Sequence, residues 1–346
     1  MSTLTRYLLR EVGAYLLGGL AVVVLLLLGG VLFEVLAPLL SRGADPLSIG
    51  QYLAHRVPEA LVRGLPIAYL FALLLALSRM AEDSELKVLL ASGIPRERVM
   101  VVLVGFGFVL ALVGFVAGES WVPSELQRAN QVLRQAILAK PRALLQPGTF
   151  FRDAYGRTIY VGEADDEGFK EIRVISLGEV LLAERGLFEE GRMVLENGMR
   201  VTFDGARPRT VAEFERGLLP LEDLAVSPPT RPSDLSLAEL RRRIAEYKKL
   251  GRPYHAEATA YWRKWAEPAA SVAFALFAVA LAFWMLGGSR SLGLVGVVIL
   301  TFFYYATWSV FRIMGEQGVL PPWIAAWGPD LLYAAAAGLL LLGGKR

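Results

Sequence analysis

Six stretches of nearly uninterrupted apolar residues, each about as long as a bilayer is thick, decide what this chain can become. They run from about Val12 to Phe33, Val57 to Leu77, Val99 to Gly118, Pro268 to Leu286, Leu292 to Met314 and Trp323 to Leu342. Hydrocarbon about 30 Å thick takes roughly 20 helical residues to cross. It offers no partner to a free backbone N–H or C=O, so each run is expected to be a helix that satisfies its own hydrogen bonds. The first run is too long for the core of a cleavable signal peptide, and no small-residue cleavage site follows it, so it reads as a retained anchor.

Three runs precede and three follow a polar stretch from about Glu119 to Glu267. The expected divisions are 1–119 for the first three spans, 120–266 for an inserted domain and 267–346 for the last three spans. Within the insert, alternating runs are expected as short strands at Thr149 to Arg152, Thr158 to Gly162, Lys170 to Leu177 and Thr210 to Phe214, a pattern of a small sandwich or jelly roll. The strongest local signal is Asn197-Gly198 between two alternating runs in Arg192 to Phe203, which predicts a hairpin with a two-residue type I′ turn. Helices are expected to frame the strands at Pro123 to Ala139 and Ser236 to Leu250, the second capped by Ser236 or Asp234. The fold class is thus membrane all-α, six transmembrane helices arranged three plus three, with an inserted β-jellyroll-like domain.

Lys and Arg accumulate in the short loops on the inner side of a membrane. Arg6, Arg10, Arg79, Lys87, Arg96, Arg98, Arg290, Lys345 and Arg346 define one side, against Arg42, Arg56, Arg63 and Arg312 on the other. Both termini are expected to be cytoplasmic and the insert outside. The net charge of +3 follows from these flanking residues. They do not cluster with exposed aromatics, so no nucleic-acid partner is expected. There is no Cys, and the two histidines, His55 and His255, stand far apart, so no metal site is expected. The run Gly338 to Lys345 only superficially resembles a phosphate loop, and no Gly-x-Ser-x-Gly elbow is present, so no catalytic residues and no cofactor are expected in this chain.

The loop between spans two and three, Ser78 to Pro95, reads as a short helix at about 82–92. Acids crowd its first turn, Asp83 and Lys87 are four apart, and Gly93 and Pro95 supply a stop. Leu86, Leu89 and Leu90 form an apolar ridge beside Glu82 and Glu85. Such a helix fits either a groove in a cytoplasmic partner or the membrane surface itself.

The opening Leu4 to Glu11, the Leu65-Pro66 core of span two, the run Leu77 to Leu86 followed by Ala91-Ser92-Gly93, and Leu320 to Trp327 resemble the LptF/LptG lipopolysaccharide-export permeases. The resemblance covers nearly the whole chain and is most specific from Ser84 to Gly93. It implies a heterodimer with a paralogous permease on a cytoplasmic ABC ATPase dimer, with ATP and Mg bound by that ATPase. It further implies extraction of a lipid from the bacterial inner membrane and its transfer, through the periplasmic β-jellyroll, to periplasmic β-jellyroll bridge proteins. The short helix would be the coupling helix, with the family's Glu at Glu85 and its neighbours Glu82, Asp83, Leu86, Leu89 and Leu90 forming the coupling surface.

Charged residues inside spans are expensive in lipid and tend to face a cavity or an interface. Arg63 and Arg312, with Arg42 just outside span one, are the candidates for a lipid headgroup, and Glu34 and Glu119 are their candidate partners. Snorkelling to the interface is the alternative for these long side chains, and the favoured one for Arg42. Val22 to Leu40 holds no Lys or Arg where lipopolysaccharide carriers of the family present several, so another outer-membrane glycolipid stays open as substrate. A non-transporting envelope scaffold or signalling protein, and a lipid-modifying membrane enzyme, are the readings of other classes. The acidic loop helix argues against the first and the lack of paired catalytic groups against the second.

Overall fold

The structure is a computed structural model that describes residues 3–33, 45–139, 148–152, 157–164, 168–176, 178–189, 192–204, 207–220, 231–286 and 293–343. In chain order its helices are α1 (Thr3–Val31), α2 (Pro46–Glu82), α3 (Glu85–Ala91), α4 (Arg96–Ser120), α5 (Val122–Ala139), α6 (Leu237–Lys249), α7 (His255–Met285), α8 (Gly293–Glu316) and α9 (Pro322–Gly343). Six of them, α1, α2, α4, α7, α8 and α9, are long and apolar enough to cross a membrane, three before the β insert and three after it. Two compact units result. One is drawn from Met1–Gly30, Arg56–Leu126 and Arg231–Arg346, the other from Val31–His55 and Gln127–Thr230.

Burial ranks the spans. In α2 and α7, 67% and 61% of the apolar window is buried, against 22% in α1 and α4 and 11% in α8, so α2 and α7 form the centre of the bundle. The small residues of α7 explain why: Ala270, Ala273, Ala275, Ala278 and Ala280, buried on several sides of the helix, are small enough to bring neighbouring backbones close. At one close crossing, a Cβ added to Gly107 of α4 would stand 2.7 Å from the carbonyl oxygen of Ser271 in α7. Tyr69 of α2, wholly buried, donates its hydroxyl to the Leu103 carbonyl of α4 at 2.6 Å, so its one polar atom is satisfied inside the bundle. Pro58, Pro66, Pro268 and Pro329 sit inside these helices, where each removes one backbone donor.

In the second unit, β1 (Thr149–Arg152), β2 (Thr158–Ala164), β3 (Phe169–Ser176), β4 (Glu179–Glu189), β5 (Arg192–Asp204) and β6 (Arg207–Pro220) form one antiparallel sheet in sequence order. The expected inserted β domain is therefore present, with its described strands arranged as a single meander. Ile159, Val161, Phe169, Ile172, Val174, Met193 and Leu195 make its core. Ile49, Tyr52, Ala129 and Leu133, from α2 and α5, form a separate apolar cluster of the same unit.

The expected hairpin at Asn197-Gly198 is not a hairpin. The strand β5 runs straight through it, with Gly198 paired to Ala183 of β4 and Phe214 of β6. Asn197 does adopt the positive φ (50°) that the dipeptide favours, but it does so inside the strand. A Cβ on Gly198 would lie 2.2 Å from Cζ of Phe214, so the glycine is there to let that ring lie across the strand. Strand β4, with Gly186 facing Ile172, is a strand that alternation did not reveal.

Replacing Gly107 by Leu should lower the thermal stability of the detergent-solubilised chain by about 1–3 kcal/mol, the usual penalty of overpacking. Gly18→Leu, where nothing lies within 4 Å, should cost much less. Thermal melts of both variants check the contrast.

Candidate functional site

One cavity in the helical unit, about 310 Å³, is walled by all of the spans except α9. Leu27 of α1, Val62, Pro66 and Ile67 of α2, Gly114 and Phe115 of α4, Pro268 of α7, and Tyr304, Tyr305 and Trp308 of α8 supply an apolar and aromatic lining. Six charged side chains break into it: Glu59 and Arg63 of α2, Glu119 of α4, and Arg263, Lys264 and Glu267 of α7.

Each base already has an acid. Arg63 lies 2.6 Å from Glu59 and 3.7 Å from Asp234, and Glu59 also holds Arg56 at 2.7 Å. Arg263 bonds Glu267 one turn along α7, and its guanidinium stacks over Trp308 with 4.2 Å to the ring centre. Lys264 lies 2.9 Å from Glu119. Charges at this depth are too costly to leave alone, and this pairing lowers the cost. Arg63 keeps 39% of its side chain exposed between these two acids. Behind the aromatic wall, the Tyr304 hydroxyl faces Asp330 of α9 at 3.4 Å, and the Tyr304 ring packs edge-on against Phe274 and Tyr333.

Helix α6 closes onto the same charges. The Leu237 N–H, in its first turn, donates to Glu119 at 3.0 Å, and Asp234 of the preceding 3-10 turn (Pro232–Asp234) reaches Arg63. Ser236 is its N-cap, in a complete capping box with Glu239. The Ser236 N–H and hydroxyl both donate to the Glu239 carboxylate, which holds that carboxyl below the ordinary glutamate range.

At the other end of the bundle, α3 is tied into the spans. Leu86 is fully buried in the core cluster that includes Leu8, Val12, Leu77, Met80 and Val99. Glu85 accepts a hydrogen bond from the Tyr7 hydroxyl of α1 and another from Arg79 of α2 at 3.4 Å. Arg79 also lies 3.1 Å from Glu11 and 3.8 Å from Asp83. Ser84 stands in left-handed conformation (φ 59°) at the N-cap, so α3 starts a new helical phase after α2 instead of extending it. This rotates the expected ridge: Leu86 points in, Leu89 is half-buried, and Val88 and Leu90 are the exposed apolar pair beside exposed Glu82 and Asp83. Asp83 lies ahead of the helix and pairs with Arg79, so the expected pairing with Lys87 does not form.

Of the two described candidate headgroup residues, Arg63 lines the cavity and Arg312 does not. Arg312 lies on α8, paired with Glu316 at 3.7 Å and 5.6 Å from the Trp308 ring centre. Arg42 and Glu34 fall outside the described residues. Glu119 pairs with Lys264 in place of an arginine. Sequence reasoning missed Glu59, Asp234, Arg263, Lys264, Glu267 and Trp308. Pro268 read as the start of span four, which left three of them outside it, whereas α7 begins at His255 and carries Pro268 in its interior. The i,i+4 spacing of Arg263 and Glu267 was the available signal.

The family model described as lipopolysaccharide export system permease LptF/LptG matches residues 6–343. The chain is also similar to the lipopolysaccharide export system permease protein LptG of Haemophilus influenzae, at 21% identity with 96% of each chain covered.

Glu119→Ala should destabilise the chain by about 1–3 kcal/mol, because it strands the Lys264 ammonium and removes the acceptor of the Leu237 N–H. A thermal melt measures it. The Glu239 carboxyl has a lowered pKa when folded, so its contribution is complete above the ordinary value of 4.5 and is lost as pH falls through the lowered one. Amide exchange in α6 should accelerate over that window, and Glu239→Gln should abolish the pH dependence.

Proposed function

The chain belongs to the LptF/LptG family of lipopolysaccharide export system permeases, and we propose that it is the membrane-spanning permease subunit of an ABC transporter that takes a lipopolysaccharide-like lipid out of the inner membrane. The observation that carries this reading is the cavity. Its apolar lining suits acyl chains, and its charged end, with the part-exposed Arg63, suits a polar headgroup. A lipid needs both at once, and binding sites for amphiphiles are built of a predominantly apolar wall with few placed polar groups.

ATP and Mg belong to a cytoplasmic ATPase dimer in this reading, and a paralogous permease completes the membrane part. The positive-inside balance supports α3 and both termini in the cytoplasm and the β unit in the periplasm, where in this reading it hands the lipid to bridge proteins of the same β type. The exposed surface made by Glu82 at the end of α2, Asp83 in the turn after it, and Val88 and Leu90 of α3 is the docking surface for the ATPase, while Glu85, Leu86 and Leu89 hold α3 to the spans. ATP-driven closure pushes α3, the spans shift, the cavity narrows, and the lipid leaves outward.

A second substrate is favoured by one observation. Since every cavity base is matched by an acid, a less anionic outer-membrane glycolipid meets less repulsion there than a polyanionic one.

The test is reconstitution in proteoliposomes with the partner permease and the ATPase. ATP-dependent release of lipopolysaccharide to an acceptor supports export; ATPase binding without any lipid release contradicts it, and preferential release of a neutral glycolipid selects the second substrate. Glu82→Lys combined with Asp83→Lys should leave the chain inserted but reduce co-purification of the ATPase about tenfold or more, since like charges replace a complementary patch. Quantitative pull-down reads the outcome.

A further inference from the structure

Seven residues are too few for a helix to hold its place by its own hydrogen bonds, so α3 takes its position from what it touches. Those contacts are unevenly distributed. Toward the bundle it buries Leu86, with no exposed surface, in the apolar cluster that also holds Leu8 and Val12 of α1, Met80 of α2 and Val99 of α4. Beside that plug, Glu85 meets Tyr7 of α1 and Arg79 of α2. The Arg79 guanidinium is the hub: it faces Glu85 at 3.4 Å, Glu11 at 3.1 Å, Asp83 at 3.8 Å and the Tyr7 hydroxyl at 3.4 Å. A planar fork with five donors spans acceptors on separate elements in a way an ammonium cannot.

We infer that Tyr7 and Arg79 are positioning residues that join α3 to the inner ends of α1 and α2, so that a push on α3 moves α1. This rests on the reading of α3 as the ATPase-docking helix and goes beyond it, because it assigns the route by which displacement enters the spans.

The physical reason for two ties is that they resist different motions. Leu86 in its pocket stops α3 from lifting away, since exposing it would return a buried leucine to a polar surface. A greasy plug resists sliding poorly. The directional bonds from Tyr7 and Arg79 to Glu85 resist it, and they place α3 on α1, a span with little of its surface buried in the bundle. Span α1 also contributes Leu27 to the cavity wall, so a displacement carried up α1 reaches the cavity directly.

The experiment uses the complete transporter in proteoliposomes and reads lipid released per ATP hydrolysed. Tyr7→Phe deletes only the hydroxyl at a site 39% exposed, and its assembly is checked by co-purification and thermal melting. Lipid released per ATP should fall roughly three- to tenfold, the scale of losing one ordinary, partly exposed hydrogen bond, with ATP turnover and assembly unchanged. Arg79→Ala should fall further, and Arg79→Lys should recover part of the ratio. A purely structural role would lower yield or stability and leave the ratio alone. An unchanged ratio in Tyr7→Phe and in any Arg79→Ala transporter that assembles overturns the inference by itself. Absence of ATP-dependent release from the unsubstituted transporter overturns it together with the docking reading beneath it.

Discussion

Hydrocarbon contains no water to hydrogen-bond a peptide group, and the rest of this structure follows from that. Every segment that crosses must be helical, so the chain is committed to six rods before any tertiary contact is chosen. Between rods there is no hydrophobic driving force, since lipid is as apolar as leucine. What selects neighbours is closeness of fit, which is why Gly107 against Ser271 and the buried alanines of α7 define the centre of the bundle. The β insert obeys ordinary aqueous rules, with a one-sided apolar core and glycines placed where a ring crosses a strand.

The same solvent makes charge informative. An ion pair on a water-exposed surface contributes little, but within a span a charge persists only with a partner or a purpose. Charges gather at two levels in the helical unit. One level surrounds the cavity, with Arg63, Arg263 and Lys264 matched to Glu59, Glu267 and Glu119. The other surrounds Arg79, where α1, α2 and α3 converge. Between these levels the bundle is apolar and tightly packed, which suits it to carry displacement from one to the other.

The spans were legible in the sequence because their signal is length, which tertiary context cannot override. Strand β1 was legible to the residue, from Thr149 to Arg152. The Asn197-Gly198 hairpin failed because a turn dipeptide reports allowed backbone angles and says nothing of the neighbours, and here Phe214 needed the space that a missing Cβ leaves. At the site, Arg63 was found because it interrupts an apolar run. Arg263, Lys264 and Glu267 escaped because they precede Pro268, which marks a helix start in water but sits inside a helix here. The inward turn of Leu86 depends on the left-handed Ser84, which no periodicity announces.

The central claim is that a lipid occupies the cavity and is expelled when the ATPase closes. Trp308 lines that cavity, so bromine-labelled acyl chains in it quench its fluorescence. In the reconstituted transporter, quenching that disappears in Trp308→Phe should be present without nucleotide and be lost in the vanadate-trapped, closed state. Quenching of equal depth in both states, or quenching indifferent to Trp308→Phe, would contradict the account.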